Sequence, residues 1–166
     1  LPRILELDPQ NDQALGFQAK MLFHENKKKQ AKPLLEKLAK TGIEDSAIYF
    51  LLALILIEEG DRKTALPHLK RATKLEPDYA LYWFRLAENK YLMDLNPKKE
   101  IKKAYKLAPD DIWINNLYGL YYKEKHKFKE AEKLWLQATC SDSTGLNPRS
   151  FERITGEGNV LIAQKN

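Results

Sequence analysis

The chain has 166 residues, of which 43% are hydrophobic and 31% charged, and its formal net charge is +5. This composition supplies a core and excludes wholesale disorder, and the length suits one compact domain or a short repeat array. Cys140 is the only cysteine, which excludes an internal disulfide and a cysteine-based metal site. A single cysteine fits a reducing compartment and favours the cytoplasm. Leu1 is not an initiator methionine, so an upstream targeting segment stays open.

The longest apolar run lies near the end of the first third of the chain. After Ser46, every residue from Ala47 to Ile57 is apolar, and Glu58 ends the run. A helix that spans a bilayer needs roughly 20 apolar residues, whereas a run of 10 to 14 is typical of a buried helix. We therefore expect no transmembrane segment here, and we expect a helix that is covered on nearly every side.

Small and large residues recur at a fixed spacing along the chain. Ala19, Ala53 and Ala87 lie 34 residues apart, and Gly119 continues the column after a two-residue shortening. Each unit contains two apolar patterns at helical spacing, separated by a turn. The predicted turns lie at Asn26, Gly60, residues 94–96 and residues 125–126, and the unit ends are marked by Pro9, Pro77 and Pro109. The small residues predict a close crossing of the two helices of a unit, with Trp83, Tyr122 and Trp135 filling the space between units.

Two prolines test this assignment. Pro33 and Pro67 lie 34 residues apart within the predicted second helices of their units. A proline in mid-helix costs about 3 kcal/mol, but in the first turn the amide has no helical partner to lose. The repeat therefore predicts that both prolines lie near the start of their helices, at equivalent points.

The segment "AIYFLLALILIEEGDRKTALPHLKRATKLEPDYA" resembles one whole unit of the tetratricopeptide repeat (TPR) family, and "YWFRLAENKY" resembles the opening of the next unit. The resemblance implies an all-α solenoid of stacked helix-turn-helix hairpins wound as a right-handed superhelix. Its units are predicted at 12–45, 46–79, 80–111 and 112–145, preceded by the end of another repeat helix at 1–11. The tail at 146–166 has three possible roles: a cap on the last unit, a disordered segment, or a strand folded into the groove.

In the TPR family, one face of each first helix lines a concave surface where ligands bind. The resemblance assigns the following residues to that groove: Ala47, Phe50, Leu54, Ile57, Leu81, Phe84, Glu88, Tyr91, Trp113, Asn116 and Leu120. Toward the start of the chain, Gln13, Gly16, Lys20 and Phe23 give the groove a polar end. If a ligand covered Phe50, Phe84 and Trp113, it would bury on the order of 450–750 Å². The alternative is that these side chains bury one another.

The expected function is protein interaction, in which an apolar segment of a partner protein occupies the groove. TPR domains that bind the carboxylate end of chaperone tails use a basic groove, which this chain lacks at Phe50, Leu54 and Leu81. Self-assembly into a homo-oligomer is the first alternative, and nucleic-acid binding by the lysine-rich surface is a weaker one. No enzyme activity, cofactor or metal is expected, since no catalytic arrangement stands out and the three histidines, all expected to be solvated, have no metal-ligand spacing.

Overall fold

The structure is a computed structural model that describes residues 11–140. Within that range it contains eight helices and no strand, which confirms the all-α prediction. The helices are α1 Asp12–His24, α2 Lys28–Thr41, α3 Ser46–Glu58, α4 Arg62–Leu75, α5 Ala80–Leu92, α6 Lys98–Leu107, α7 Ile112–Glu124 and α8 Phe128–Cys140. Residues 1–10 of the predicted preceding helix end (1–11) and the whole predicted tail (146–166) lie outside the described residues.

The helices pair in chain order into four hairpins, α1–α2, α3–α4, α5–α6 and α7–α8. The chain divides into two compact units. Unit 1 ends at Pro77 and contains the first two hairpins, and unit 2 begins at Asp78 and contains the last two. Within unit 1, α3 packs on both helices of the first hairpin, and within unit 2, α7 packs on both helices of the third. Each unit is therefore a pair of stacked hairpins.

The turn inside each hairpin uses one residue with a left-handed backbone. Asn26, Gly60, Asp94 and His126 have φ angles of 59°, 85°, 57° and 57°, and they occupy the same position of the repeat. In every case the amide of the next residue donates a hydrogen bond of 2.8–2.9 Å to a carbonyl five residues earlier, which closes the first helix. Only Gly60 adopts this backbone without strain, since asparagine, aspartate and histidine tolerate it at a cost.

Helix α3 contains the long apolar run, and it is buried on several sides. Its partner helices cover Tyr49, Leu52 and Leu56, which are at most 5% exposed. On another side, Ile48 packs against Gly16 of α1. The helix begins after Asp45, whose carboxylate accepts a hydrogen bond from the Ala47 amide at 3.0 Å. The prediction of a buried helix is consistent with this packing, and none of the helices in residues 11–140 is long and apolar enough to span a membrane.

The two prolines lie near the start of their helices, as predicted, but beyond the first turn, where a proline costs least. Pro33 and Pro67 occupy equivalent places, as expected, but each is the sixth residue of its helix and so lies in the second turn. Each proline leaves one carbonyl without its helical donor, that of Lys29 and that of Lys63 respectively. Both lysines are exposed, so water reaches these carbonyls and reduces the cost.

Trp135 does not serve mainly as a spacer between hairpins, as the repeat pattern predicted. Its indole lies over Gly119 within its own hairpin, and its Nε1 is 3.5 Å from the Asn116 carbonyl oxygen. An ideal Cβ on Gly119 would lie 2.7 Å from the Trp135 Cε2 atom, which is closer than real contacts allow. Glycine is therefore required at 119 because the large ring takes the space that an alanine fills elsewhere in the column.

Gly119→Ala should destabilise the protein by about 1–3 kcal/mol, because the added methyl group overpacks the site against the indole. Thermal unfolding measures the change. Gly16→Ala is the matched control, since a Cβ there would make ordinary contacts of 3.7 Å and 4.0 Å. That control should stabilise α1 by about 0.5–1 kcal/mol. If Trp135→Phe does not reduce the loss caused by Gly119→Ala, the proposed clash is not its cause.

His68 of α4 is half-buried rather than solvated, which corrects the expectation for this histidine. Its ring stacks on Tyr49 with 6.2 Å between the ring centroids. Burial lowers the pKa of His68 from the ordinary value of 6.5, and the nearby Glu36 carboxylate opposes that shift. The folded protein therefore favours the neutral imidazole of His68 more strongly than the unfolded chain does.

The lowered pKa of His68 implies a pH-dependent stability. Below about pH 6.5 the imidazole of His68 binds a proton more readily in the unfolded chain than in the folded chain. The contribution of His68 to the free energy of unfolding is therefore complete above that pH and falls on acidification. His68→Phe keeps a ring on Tyr49 and cannot be protonated, so this variant should lose less stability between pH 7 and pH 5. Urea unfolding at several pH values measures the difference. His24→Gln, at an exposed position, should behave like the parent protein, and equal pH profiles for all three proteins would contradict the argument.

Candidate partner-binding cleft

In unit 2, α5 and the beginning of α7 border an open cavity of about 410 Å³, which we call the α5–α7 cleft. Its lining residues come from two helices of different hairpins, and they are Ala80, Leu81, Phe84, Arg85, Glu88, Asp111, Trp113 and Ile114. The α5 residues among them recur every three or four positions, so they lie on one face of that helix. Stacking of the two hairpins brings this face against the first turn of α7.

The floor of the cleft is apolar and fixed. Phe84 and Ile114 are 7% and 2% exposed and belong to the hydrophobic core of unit 2. The walls are apolar and open, because Leu81 is 38% exposed and Trp113 is 50% exposed. An exposed tryptophan beside a buried aromatic floor is an uncovered apolar surface, and such surfaces generally mark interaction sites.

Charged groups lie at the rim of the cleft. The Arg85 guanidinium donates a 2.8 Å hydrogen bond to Glu88 and lies 5.5 Å from the centroid of the Phe84 ring. The buried Nε of Arg85 has no hydrogen-bond partner among the described residues. Asp111 caps α7 by accepting a 3.0 Å hydrogen bond from the Ile114 amide. The rim therefore offers both donors and acceptors around an apolar centre.

The structure brings four of the predicted groove residues together in this cleft, namely Leu81, Phe84, Glu88 and Trp113. Three other predicted residues of unit 2, Tyr91, Asn116 and Leu120, are at most 4% exposed and lie in the interior. Tyr91 donates a 2.7 Å hydrogen bond to Glu124. Its burial, together with this carboxylate, raises the pKa of the Tyr91 hydroxyl.

In unit 1 the predicted groove residues lie on α3. Phe50 is 8% exposed, whereas Ala47, Leu54 and Ile57 are partly exposed. Four residues of the α5–α7 cleft, Ala80, Arg85, Asp111 and Ile114, were not among the predicted groove residues. The aspartate that precedes α7 carried a recognisable signal, since aspartate before an apolar helix is a typical N-cap. The other three carry no such signal, because their contribution depends on the neighbouring helix.

Comparison with known proteins relates part of the chain to a known family. A tetratricopeptide repeat family model matches residues 46–89. A TPR repeat-containing protein of Treponema pallidum (strain Nichols) is 28% identical over 123 residues, which is 67% of this chain and 15% of that protein. The chain thus spans only a small part of that relative's length.

Solved structures share the fold. The crystal structure of MamA superposes with a TM-score of 0.76 at 21% identity, covering 86% of this chain and 85% of that one. YrrB, described as a TPR protein with an unusual peptide-binding site, has a TM-score of 0.70 at 21% identity, covering 83% and 72%. A thermophilic TPR protein of Thermus thermophilus has a TM-score of 0.64 at 17% identity, covering 98% and 87%.

The family match spans the whole α3–α4 hairpin, and the same kind of hairpin occurs four times within residues 11–140. The helical-repeat solenoid fold of the related structures agrees with this arrangement. The α3–α4 hairpin therefore matches the tetratricopeptide repeat family, and residues 11–140 share the helical-repeat fold of related TPR structures, a fold type that supports scaffolds for protein–protein interaction.

Proposed function

We propose that this protein binds an apolar peptide segment of a partner protein and that the α5–α7 cleft is the binding site. The observation that supports this proposal is the half-exposed indole of Trp113 facing the buried Phe84 ring. Covering such an indole removes a large apolar area from water, because an aromatic side chain buries about 150–250 Å² when fully covered. Tryptophan is also among the residues most enriched at interaction hot spots.

The open shape and mixed polarity of the cleft are compatible with a short peptide. Ligand cavities have volumes of about 300–1,000 Å³, and this open cleft of about 410 Å³ lies near the lower end. The Arg85 guanidinium also lines the cleft, and it is a donor group for which a peptide carbonyl is a suitable acceptor. The peptide-binding site named for YrrB supports the same ligand class on a related fold.

The cleft is held by rigid elements on both sides, so binding requires little ordering of the protein. Phe84 and Ile114 share the core of unit 2 with Leu117 and Tyr121, and Asp111 fixes the first turn of α7. A preformed site loses less conformational entropy when it binds, which leaves more of the contact energy as affinity. The participation of Phe50, Leu54 and Ile57 of α3 in the same groove stays a prediction.

Trp113→Ala should weaken the binding of an apolar peptide at least about tenfold, which corresponds to about 1.4 kcal/mol. Peptides can be selected from a displayed random library against the parent protein and their affinities measured by fluorescence anisotropy. Because Trp113 is half-exposed, the variant should keep its helicity and nearly all its stability. Phe84→Ser is a poor probe, because Phe84 is buried in the core and its loss would destabilise unit 2.

The matched control is Leu95→Ala, which truncates an apolar side chain that is 41% exposed and lies outside the cleft. This control should leave the affinity unchanged within about twofold. Unchanged affinity after Trp113→Ala, with the control also unchanged, would exclude the α5–α7 cleft as the binding site.

Self-association is the second candidate function, and two exposed apolar side chains of α8 favour it. Phe128 and Leu136 are 60% and 55% exposed. The repeat positions equivalent to Phe128 hold Lys28 in α2 and Arg62 in α4. The repeat positions equivalent to Leu136 also hold charged residues, which are Glu36, Lys70 and Lys102. Apolar side chains at positions that other hairpins expose to water are suited to contact with another chain.

If a second copy covers this part of α8, the mass measured by light scattering should rise with protein concentration. Changing both Phe128 and Leu136 to serine should then restore the monomer mass without unfolding the protein, since both side chains are exposed. A monomer mass at every concentration for the parent protein would rule out this second function and leave peptide binding unaffected.

A further inference from the structure

Unit 1 contains a second open cavity, of about 550 Å³, between α1 and the beginning of α3, which we call the α1–α3 cleft. It is lined by Asp12, Gln13, Gly16, Phe17, Lys20, Ile43, Glu44, Asp45, Ser46 and Glu76. All of these residues belong to unit 1. The sequence predicted only that this end of the groove is polar.

The two clefts occupy the same position of the repeat. Residues 12, 13, 16, 17, 20 and 45 correspond to residues 80, 81, 84, 85, 88 and 111, and both sets line their cavities. The side chains differ, however, because Gly16 replaces the Phe84 floor and Ala47 stands where α7 has Trp113. The same architecture therefore presents an apolar surface in unit 2 and a polar one in unit 1.

The lining of the α1–α3 cleft has an excess of negative charge. It includes four carboxylates, from Asp12, Glu44, Asp45 and Glu76, and one cation, Lys20. Asp45 is already bound to Lys20 at 2.6 Å, and Glu76 accepts a 2.6 Å hydrogen bond from Ser46. Within residues 11–140, neither Asp12 nor Glu44 forms an ion pair. A local negative excess in a chain of net charge +5 gives this cleft a charge preference opposite to that of the molecule as a whole.

An exposed aromatic ring accompanies these carboxylates. Phe17 is 60% exposed on the α1 side of the cleft. The cleft also contains one example of how a cation is held there, since Lys20 Nζ lies 5.9 Å from the centroid of the Phe17 ring while it binds Asp45. A lysine or arginine side chain combines an aliphatic stem that packs on a ring with a charged head that binds carboxylates. The surface beside Lys20 provides both a ring for such a stem and carboxylates for such a head.

We propose that the α1–α3 cleft binds a basic segment of a protein partner, with a lysine or arginine head at Asp12 and Glu44 and its stem on Phe17. Charge complementarity favours a cationic ligand, and the open shape with an exposed ring at Phe17 favours a side chain on a peptide over an ion. Within residues 11–140, no group of three or more acidic, histidine or cysteine side chains is placed to hold a metal. This site is distinct from the α5–α7 cleft and does not depend on peptide binding there.

The probe is a fluorescein-labelled, terminally blocked decapeptide of alternating lysine and alanine, compared with its glutamate counterpart by anisotropy. The lysine peptide should bind and the glutamate peptide should not. Changing Asp12 to Asn and Glu44 to Gln together should weaken binding about fivefold, as expected for two partly exposed charge pairs. Phe17→Ala should also weaken binding, and raising the salt concentration should reduce the affinity of the parent protein.

The matched control changes Glu130 and Glu132 of α8 to glutamine, which alters the net charge by the same amount at exposed positions outside the cleft. This control should retain the parent affinity within about twofold, and circular dichroism should show that every variant is folded. Equal losses in the two double variants would mean that only the net charge matters and would overturn the proposal, as would the absence of binding by the parent protein. Loss of lysine-peptide binding in Trp113→Ala, with Asp12 and Glu44 variants unaffected, would also overturn it while leaving the α5–α7 cleft as a peptide site.

Discussion

The close crossing of the two helices in each hairpin is the constraint on which the rest of this structure depends. The residues at the crossings are small and fully buried, with Ala19, Ala53 and Ala87 at 0% exposure and Ala31 and Ala65 likewise. A close approach lets the ridges of one helix pack into the grooves of the other. It also determines which face of the first helix is used inside the hairpin, and therefore which face is left to border a cleft with the next hairpin.

In the last hairpin, the close crossing of the two helices is formed by residues of different sizes. Gly119 has no side chain, and the Trp135 indole occupies the space in which a Cβ of residue 119 would lie. The smaller residue at 119 makes room for the larger ring at 135, which is what a close-packed core requires. The turns show a comparable tolerance, because Asn26, Asp94 and His126 adopt the left-handed backbone that Gly60 adopts without strain. In both places the geometry of the repeat is kept and the residue type varies.

The two clefts show how one architecture supports different chemistry. Both lie between a first helix and the aspartate-capped start of the next first helix, and Asp45 and Asp111 perform the same capping role. In the α1–α3 cleft, Gly16 occupies the floor position that Phe84 holds in the α5–α7 cleft, so no aromatic ring forms the floor. The carboxylates that line the α1–α3 cleft therefore dominate its electrostatic potential. Function in such a fold lies in the side chains that line the clefts, and the fold itself specifies no ligand.

The sequence alone determined the hairpins, their turns and their small-residue crossings, because these features depend on local periodicity and on neighbours within about 34 positions. It could not separate Phe84, which is buried, from Trp113, which is half-exposed, although both belong to the same predicted face. Exposure of a side chain depends on the residues that stacking brings against it from another hairpin, as α7 does for Phe84. For the same reason, only the tertiary structure placed Arg85 and Trp113 in one cleft and Phe17 and Glu44 in the other. Periodicity assigns a residue to a face, whereas packing between hairpins decides how much of that face remains accessible to a partner.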